Sequence, residues 1–402
     1  MIMKKTNRSA VFSIFARKIK ECLHDIKNEL KGLEDPTKTV VKLYSKGTPK
    51  GKVLFSYILE GFLLEQGTPV PKTHTNIWQS LKMAATFVDL GYEVHVIDYK
   101  NTTFVPEEEY AVFVDVRRNL ERVGPMLNNN CIKIMHLDTA NIQFHNAANA
   151  KRHLELQNRR AITLRPKRFE MPNTGIEHAD FATTTGNDFT VSTFRYAKKK
   201  IFKLPSPCGI SLPWPERDWR NCRKNFLWFS SSGLVHKGLD IALDVFKQMP
   251  DHHLTVCAPL GKDQDFVRAY HSELYETPNI TTIGWVDIES IQFKEITKSC
   301  SANLHLSCSE GGAPAVKMCM HAGLIPVVSY ESGVDVHDYG FSLPECSVET
   351  VKDVVKHISS LSPSGLQDRA FKSWQFARRH YTRRNFEKEY HRVISSAIGN
   401  VF

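Results

Sequence analysis

Several things are missing from this chain. No run of about 18 apolar residues escapes a charge, so no membrane-spanning helix is expected. The nine cysteines include no Cys-x-x-Cys pair and their number is odd. That excludes a zinc ribbon or a disulfide framework and points to reduced thiols in the cytoplasm. The N-terminus is basic but has no apolar stretch followed by a small-residue cleavage site, so no signal peptide is expected. There is no short tandem repeat, which excludes solenoids and propellers. Charged residues at 24% and hydrophobic residues at 42% are ordinary for a folded protein and exclude a disordered or fibrous chain. The 402 residues are too many for one ordinary core and imply two or three domains.

What is present is an excess of positive charge, +10 overall, and it is local. Residues 151–203 carry twelve Lys and Arg against five acids, a local excess of seven. Such a patch either attracts phosphates or is simply a solvated surface. Because it lacks interleaved aromatics and any zinc-finger or RNA-recognition signature, a nucleic-acid partner is not expected. The first 20 residues hold Lys4, Lys5, Arg8, Arg17, Lys18 and Lys20 and no acid. Val11, Phe15, Ile19, Cys22, Ile26 and Leu30 recur at helical spacing, giving an amphipathic basic helix. It suits either an anionic membrane surface or the flank of the following domain.

From residue 52 the pattern is strand, then helix, several times over. Short apolar runs at 53–58, 94–98, 111–115, 132–136 and 181–184 alternate with helical stretches such as 77–90. Pro205, Pro207, Pro213 and Pro215 then read as a linker. The alternation restarts with strands at 226–229, 254–257, 280–283, 303–306 and 325–328, and a helical tail follows over 347–399. Buried strands alternating with helices predict two doubly wound α/β domains in series.

Two strand-to-helix loops of the second domain carry chemistry. Phe229 to Gly238 runs Phe-Ser-Ser-Ser-Gly-Leu-Val-His-Lys-Gly. Its small residues let backbone amides approach an anion, and Lys237 adds a full positive charge. Leu306 to Val316 places Glu310 before Gly311, Gly312, Ala313 and Pro314. That turn has free amides, and its acid can accept hydrogen bonds from sugar hydroxyls. Either loop alone is equally an ordinary βα turn, with Glu310 capping the helix, and neither fits the dinucleotide or Walker pattern. Asp263-Gln264-Asp265 formally fits Asp-x-Asp, but its place at a helix start reads as capping, so no metal ligands are assigned.

In order, Gly233 to Gly238, then Gly284-Trp285-Val286, then Ser309 to Val328 with its Ala-Gly-x-x-Pro-Val-Val continuation, resemble the C-terminal half of GT-B glycosyltransferases, closest to glycosyltransferase family 4. The likeness covers residues 225–340 by motif and 52–200 by architecture. It implies two Rossmann-like domains facing across a cleft. Residues 46–205 would form the acceptor side, and residues 206–382 would hold a nucleoside diphosphate sugar. A basic helix (1–45) would precede them, and a C-terminal helix (383–402) would return to the first domain. It further implies metal-independent transfer to a hydroxyl with retention of configuration, without a cofactor. Glu310 would contact the transferred sugar. Ser231, Ser232, Lys237, Gly284, Val286, Gly311, Gly312, Ala313 and Pro314 would hold the donor.

In the family's Glu-x7-Glu motif the second acid falls on Met318, and Ser232 stands where arginine is usual. His136, at the end of its strand, resembles the family's histidine facing the sugar. Thr75, Asp138 and His145 are candidates on the acceptor side. The basic patches suit a lipid-linked or phosphorylated glycan acceptor at the cytoplasmic membrane face, in surface polysaccharide or glycolipid assembly. Two other readings stay open: a GT-B protein that only binds, consistent with Met318 and Ser232, and a sugar-nucleotide epimerase.

Overall fold

The computed structural model describes residues 36–399 apart from Gln66 and Thr73. Of the expected basic helix over 1–45, residues 1–35 lie outside the described residues. The rest is not helical beyond one turn at Pro36–Lys38, because Val40–Leu43 pairs as a strand with Val94–Ile97 and so belongs to the first sheet.

Two parallel sheets organise the chain. The first has seven strands: β1 (Val40–Leu43), β2 (Lys52–Tyr57), β3 (Glu93–Asp98), β4 (Val112–Asp115), β5 (Ile132–Leu137), β6 (Phe181–Thr184) and β7 (Lys200–Lys203), in the order β1-β3-β2-β4-β5-β6-β7. Only β1 runs antiparallel to its neighbour. The second has six: β8 (Asn225–Phe229), β9 (His253–Cys257), β10 (Ile280–Thr282), β11 (Ala302–His305), β12 (Ile325–Ser329) and β13 (Phe341–Leu343), in the order β10-β9-β8-β11-β12-β13. The central strands are apolar on both faces, as a sheet covered by helices on each side requires. Phe226, Leu227 and Trp228 of β8 and Val112, Phe113 and Val114 of β4 are wholly buried.

The helices that matter for the site are α1 (Thr75–Asp89), α2 (Ile142–Arg160), α3 (Leu239–Lys247), α4 (Pro314–His321), α5 (Pro363–His380) and α6 (Arg383–Gly399). Local sequence fixes several of their ends. Asn141 caps α2 by accepting from the Gln143 amide, and Ser362 caps α5 by accepting from Gly365, with Pro363 in the first turn. In α6, Phe386, Tyr390, Val393, Ile394 and Ile398 recur at helical spacing and join the first sheet's apolar cluster beside Trp78 and Phe87. Phe386 meets Trp78 edge-on at 6.1 Å, and Arg383 lies over the Trp78 ring.

In each sheet the chain builds outward on one side, then crosses to the other. The reversal falls between β2 and β4 in the first sheet and between β8 and β11 in the second. Open α/β sheets bind ligands at the carboxyl ends of strands flanking such a point. The loops there are the ones after Tyr57, Asp115, Phe229 and His305.

Candidate functional site

The loops after β8 and β11 bring Lys237 and Glu310 together. Lys237 Nζ lies 3.5 Å from Glu310 Oε1 and donates to Ser231 Oγ at 3.1 Å. Lys237 is 7% exposed and Glu310 8%. Ser307 Oγ donates to the same carboxylate oxygen at 3.2 Å, and His305 Nε2 lies 3.9 Å from it. Burial alone would push the Glu310 carboxyl up. Lys237 first, then Arg168, outweigh burial and hold it well below the usual carboxylate range. His305 is pushed down to about 4, by burial first and then by Lys237, and is neutral. As a helix cap Glu310 would accept from amides of α4, but α4 has no side-chain cap. The turn reaches α4 through Ala313 at φ +33° and Pro314, and among the described residues the amides of Gly311, Gly312 and Ala313 meet no acceptor. The turn therefore offers donors, a buried carboxylate and an ammonium within a few ångströms.

The first sheet meets this turn directly. A β-carbon added at Gly311 would lie 2.4 Å from the Asp138 carbonyl oxygen, so only glycine permits the approach. Thr185 Oγ1 donates to the Gly311 carbonyl at 3.3 Å, and Thr190 Oγ1 to that of Glu310 at 3.4 Å. Lys317, buried in α4, donates to the Thr185 carbonyl at 3.2 Å and lies over the Tyr381 ring. Behind Asp138, Arg117 Nη2 donates to its Oδ2 at 3.0 Å, while burial pushes the Asp138 carboxyl up.

His145 stands at the same boundary. Its ring lies 4.7 Å from that of His236, and its Nε2 donates to the Arg168 carbonyl at 2.6 Å. Thr75 opens α1 with its hydroxyl buried and unpartnered. His136 sits deeper, with no exposed surface. Its Nε2 meets Gln79 Nε2 at 2.7 Å and its Nδ1 meets Thr183 Oγ1 at 2.8 Å. Burial pushes it down to about 3, so the ring is neutral. In this arrangement His136 has no ring nitrogen free for a ligand.

Buried polar atoms usually find a partner, and exceptions ask for a reason. Here several gather at the carboxyl ends of strands: Tyr57 Oη, Arg117 Nη1 and Thr139 Oγ1 in the first half, and Ser230 Oγ, both His305 ring nitrogens and Ser309 Oγ in the second. A ligand rich in hydroxyls and anionic oxygens is the chemistry that would satisfy them.

Other expected site residues lie elsewhere. The Val286 side chain packs in an apolar cluster with Leu227, Ile288 and Phe293, and Met318 is buried in the same cluster. No hydrogen bond or ion pair joins Gly284 to Glu310 or Lys237 among the described residues. Ser232 is exposed. Asp263 occupies the N-cap of helix Gln264–Ala269, but its side chain makes no capping bond. Asp265, one turn-position in, accepts from Phe266 and faces Lys167. Among the described residues no three His, Cys, Asp or Glu cluster to hold a metal ion. None of their helices is long and apolar enough to cross a membrane.

The basic stretch 151–203 is not one solvated patch. Arg159 pairs with Asp240 and Asp244, and Arg160 with Glu273, while buried Arg152 donates to the Leu306 carbonyl. These cations fasten α2 to the second half. Arg117 and Arg168 enter the site without having been expected there. The carboxyl-end rule signals Arg117, two residues past β4; no local pattern signals Arg168.

No family model matches the chain, and no curated protein matches it in sequence. Among solved structures it resembles sucrose-phosphate synthase of Thermosynechococcus elongatus with a TM-score of 0.61 at 11% identity, over 87% of this chain and 100% of that one. A glycosyltransferase of Rickettsia africae matches with a TM-score of 0.54 at 10% identity, over 87% of this chain and 97% of that one. HepE of Anabaena, solved with UDP and glucose, matches with a TM-score of 0.53 at 14% identity, over 86% of this chain and 100% of that one. The chain is therefore an α/β protein with two parallel sheets in a GT-B-like arrangement, structurally similar over most of its length to glycosyltransferases of that fold.

Proposed function

We propose that this chain is a metal-independent glycosyltransferase that moves a sugar from a nucleoside diphosphate, with UDP the first candidate, to a hydroxyl of a glycan or lipid-linked acceptor, with retention of configuration. The observation that carries this is the buried Glu310–Lys237 pair at the second sheet's switch point, together with unpartnered polar atoms at the carboxyl ends of strands in both halves. UDP is suggested by the UDP and glucose bound in the HepE structure. Retention follows from the family resemblance in the motifs.

In this reading residues 46–205 form the acceptor side and 206–382 the donor side, with α6 returning to the first. Glu310 accepts hydrogen bonds from the sugar's hydroxyls. The Gly311 and Gly312 amides face the sugar and diphosphate. Lys237, with Ser231, receives the negative charge that builds on the departing diphosphate as the glycosidic bond breaks. Asp138, Thr139 and Arg117 line the side from which the acceptor hydroxyl comes. His136 supports this wall through Gln79 and Thr183 and does not touch the sugar. The ribose is recognised without help from residue 318. Cytoplasmic surface-glycan or glycolipid assembly is the setting that the basic segments favour.

A thermal-shift panel of nucleoside diphosphate sugars tests this, because a true donor stabilises the fold that binds it. A UDP-sugar should raise the melting temperature and release UDP when a hydroxyl acceptor is added. Stabilisation by no nucleotide sugar would overturn the reading. Stabilisation without sugar release to water or any acceptor would leave a binding protein. An epimerised donor would mark an epimerase.

A further inference from the structure

We infer that Arg168, supplied by the first half of the chain, is an anion-binding residue of this site that reaches over the loop carrying Lys237 and closes on the donor's diphosphate. The inference rests on the donor-site reading above and adds a residue from outside the two donor loops.

Two basic side chains act on one buried carboxylate here. Lys237 and Arg168 both favour the charged form of Glu310, while the buried His236 and His305 are neutral. Arg168 also acts on Asp138, which Arg117 already binds, so neither carboxylate claims its guanidinium, and the natural complement of that guanidinium is an anion. Arg168 is the unspent member of the pair. Its guanidinium has no hydrogen bond or ion pair among the described residues, although Arg152, Arg159, Arg160 and Lys167 of the same stretch all have carboxylate partners.

Its position is built. His145 holds the Arg168 carbonyl, and Asn146 brackets Glu170 with two hydrogen bonds, to its carbonyl at 2.7 Å and from its amide at 3.0 Å. Both anchors stand on α2, which Arg152 and Arg159 fasten to the second half. The side chain then crosses Gly233. A β-carbon added there would lie 2.4 Å from Arg168 Cδ and 2.7 Å from its Cγ. Glycine at 233 thus makes room for an arginine stem beside Ser231 and Ser232. A diphosphate at Lys237 would be gripped from both halves, so that binding the donor also holds the halves together.

Calorimetric titration with UDP, UMP and inorganic pyrophosphate tests this on the full chain, for the parent, Arg168→Ala, Arg168→Lys, and Arg168→Ala combined with Ser232→Arg. Arg168→Ala should weaken UDP and pyrophosphate by about ten-fold or more, and UMP less, because a charge-assisted bond to the diphosphate is lost. Arg168→Lys should recover part of the affinity. Ser232→Arg should rescue it by placing a guanidinium on the same loop from the second half. The melting temperature without ligand should fall only slightly, since half-buried Arg168 makes no hydrogen bond or ion pair among the described residues and acts on Glu310 through its charge alone. If the parent binds UDP and Arg168→Ala binds it equally well, the inference fails and the donor-site reading stands. If the parent binds pyrophosphate but not UDP, the uridine donor fails and Arg168 is judged on pyrophosphate. If the parent binds neither, both fail.

Discussion

Glu310→Gln separates the electrostatic role of this residue from its chemical one. At 3.5 Å from Lys237, the attraction is about 5 kcal/mol at an effective dielectric of ~20. Removing one partner of a buried pair leaves the other charge stranded and typically costs about 3–5 kcal/mol. Gln keeps the shape of Glu but strands Lys237, which burial already disfavours as a cation. The variant should therefore be about 3 kcal/mol less stable at pH 7, a fall of several degrees in melting temperature. The pH dependence has a definite sign. The folded carboxyl titrates below the ordinary glutamate value of 4.5. Its contribution is thus fully present above about pH 4.5 and is lost as pH falls through the folded value. Parent and variant should differ most near neutrality and converge in acid. Because the carboxylate repels phosphate, UDP should bind the variant several-fold more tightly and close part of the stability gap. Sugar transfer should fall by about 10²-fold through loss of a transition-state contact. Thermal melts from pH 3 to 8, UDP calorimetry and a donor-turnover assay measure all three. Parental stability across that range would refute the charge-pair argument. Parental turnover would remove Glu310 from the transfer site.

Other outcomes follow from neighbouring residues. Lys237→Ala should weaken UDP binding by about ten-fold, with the effect shrinking at high salt, and an unchanged dissociation constant would show that its loop does not meet phosphate. Lys317 is pushed down to about 8 by burial. The unfolded chain therefore holds the extra proton between about pH 8 and the ordinary lysine value of 10.5, so stability should rise with pH through that window. Lys317→Met should flatten that rise and add about 1–2 kcal/mol at pH 7, after the lost bond to Thr185 is offset; a destabilised variant would contradict this. Gly311→Ala places a carbon 2.4 Å from the Asp138 carbonyl oxygen. It should lower turnover and melting temperature together by forcing the halves apart, and small-angle scattering should report the expansion.

Ten of the strands are legible as apolar runs, and the three that are not share a cause. β1, β7 and β13 are all sheet edges. Val40-Val41-Lys42-Leu43 and Lys200-Ile201-Phe202-Lys203 are half-exposed and charged, and β13 spans three residues. Edge strands are kept short and charged to discourage further pairing, which removes the signal that marks a central strand. At the site, Glu310 and Lys237 are visible because each lies in a strand-to-helix loop of small residues. His136 is visible for the same kind of reason, a polar residue ending a strand, yet Gln79 and Thr183 occupy it. Position along a strand says which end a residue is near, not which neighbours reach it.

The sequence by itself determined the α/β class, the proline-marked passage between two sheets, and the two strand-to-helix loops of small residues that carry Lys237 and Glu310. These follow from spacing and local turn chemistry, which act over a few residues. Only the tertiary structure decided that Arg152, Arg159 and Arg160 fasten one half to the other instead of forming a free basic face. It alone brought Arg117 to Asp138 and Arg168 over Gly233. Arg168 and Gly233 are far apart along the chain, and no local pattern links them. Their meeting depends on how two separately wound sheets pack, and that is set by the shape and charge of whole surfaces.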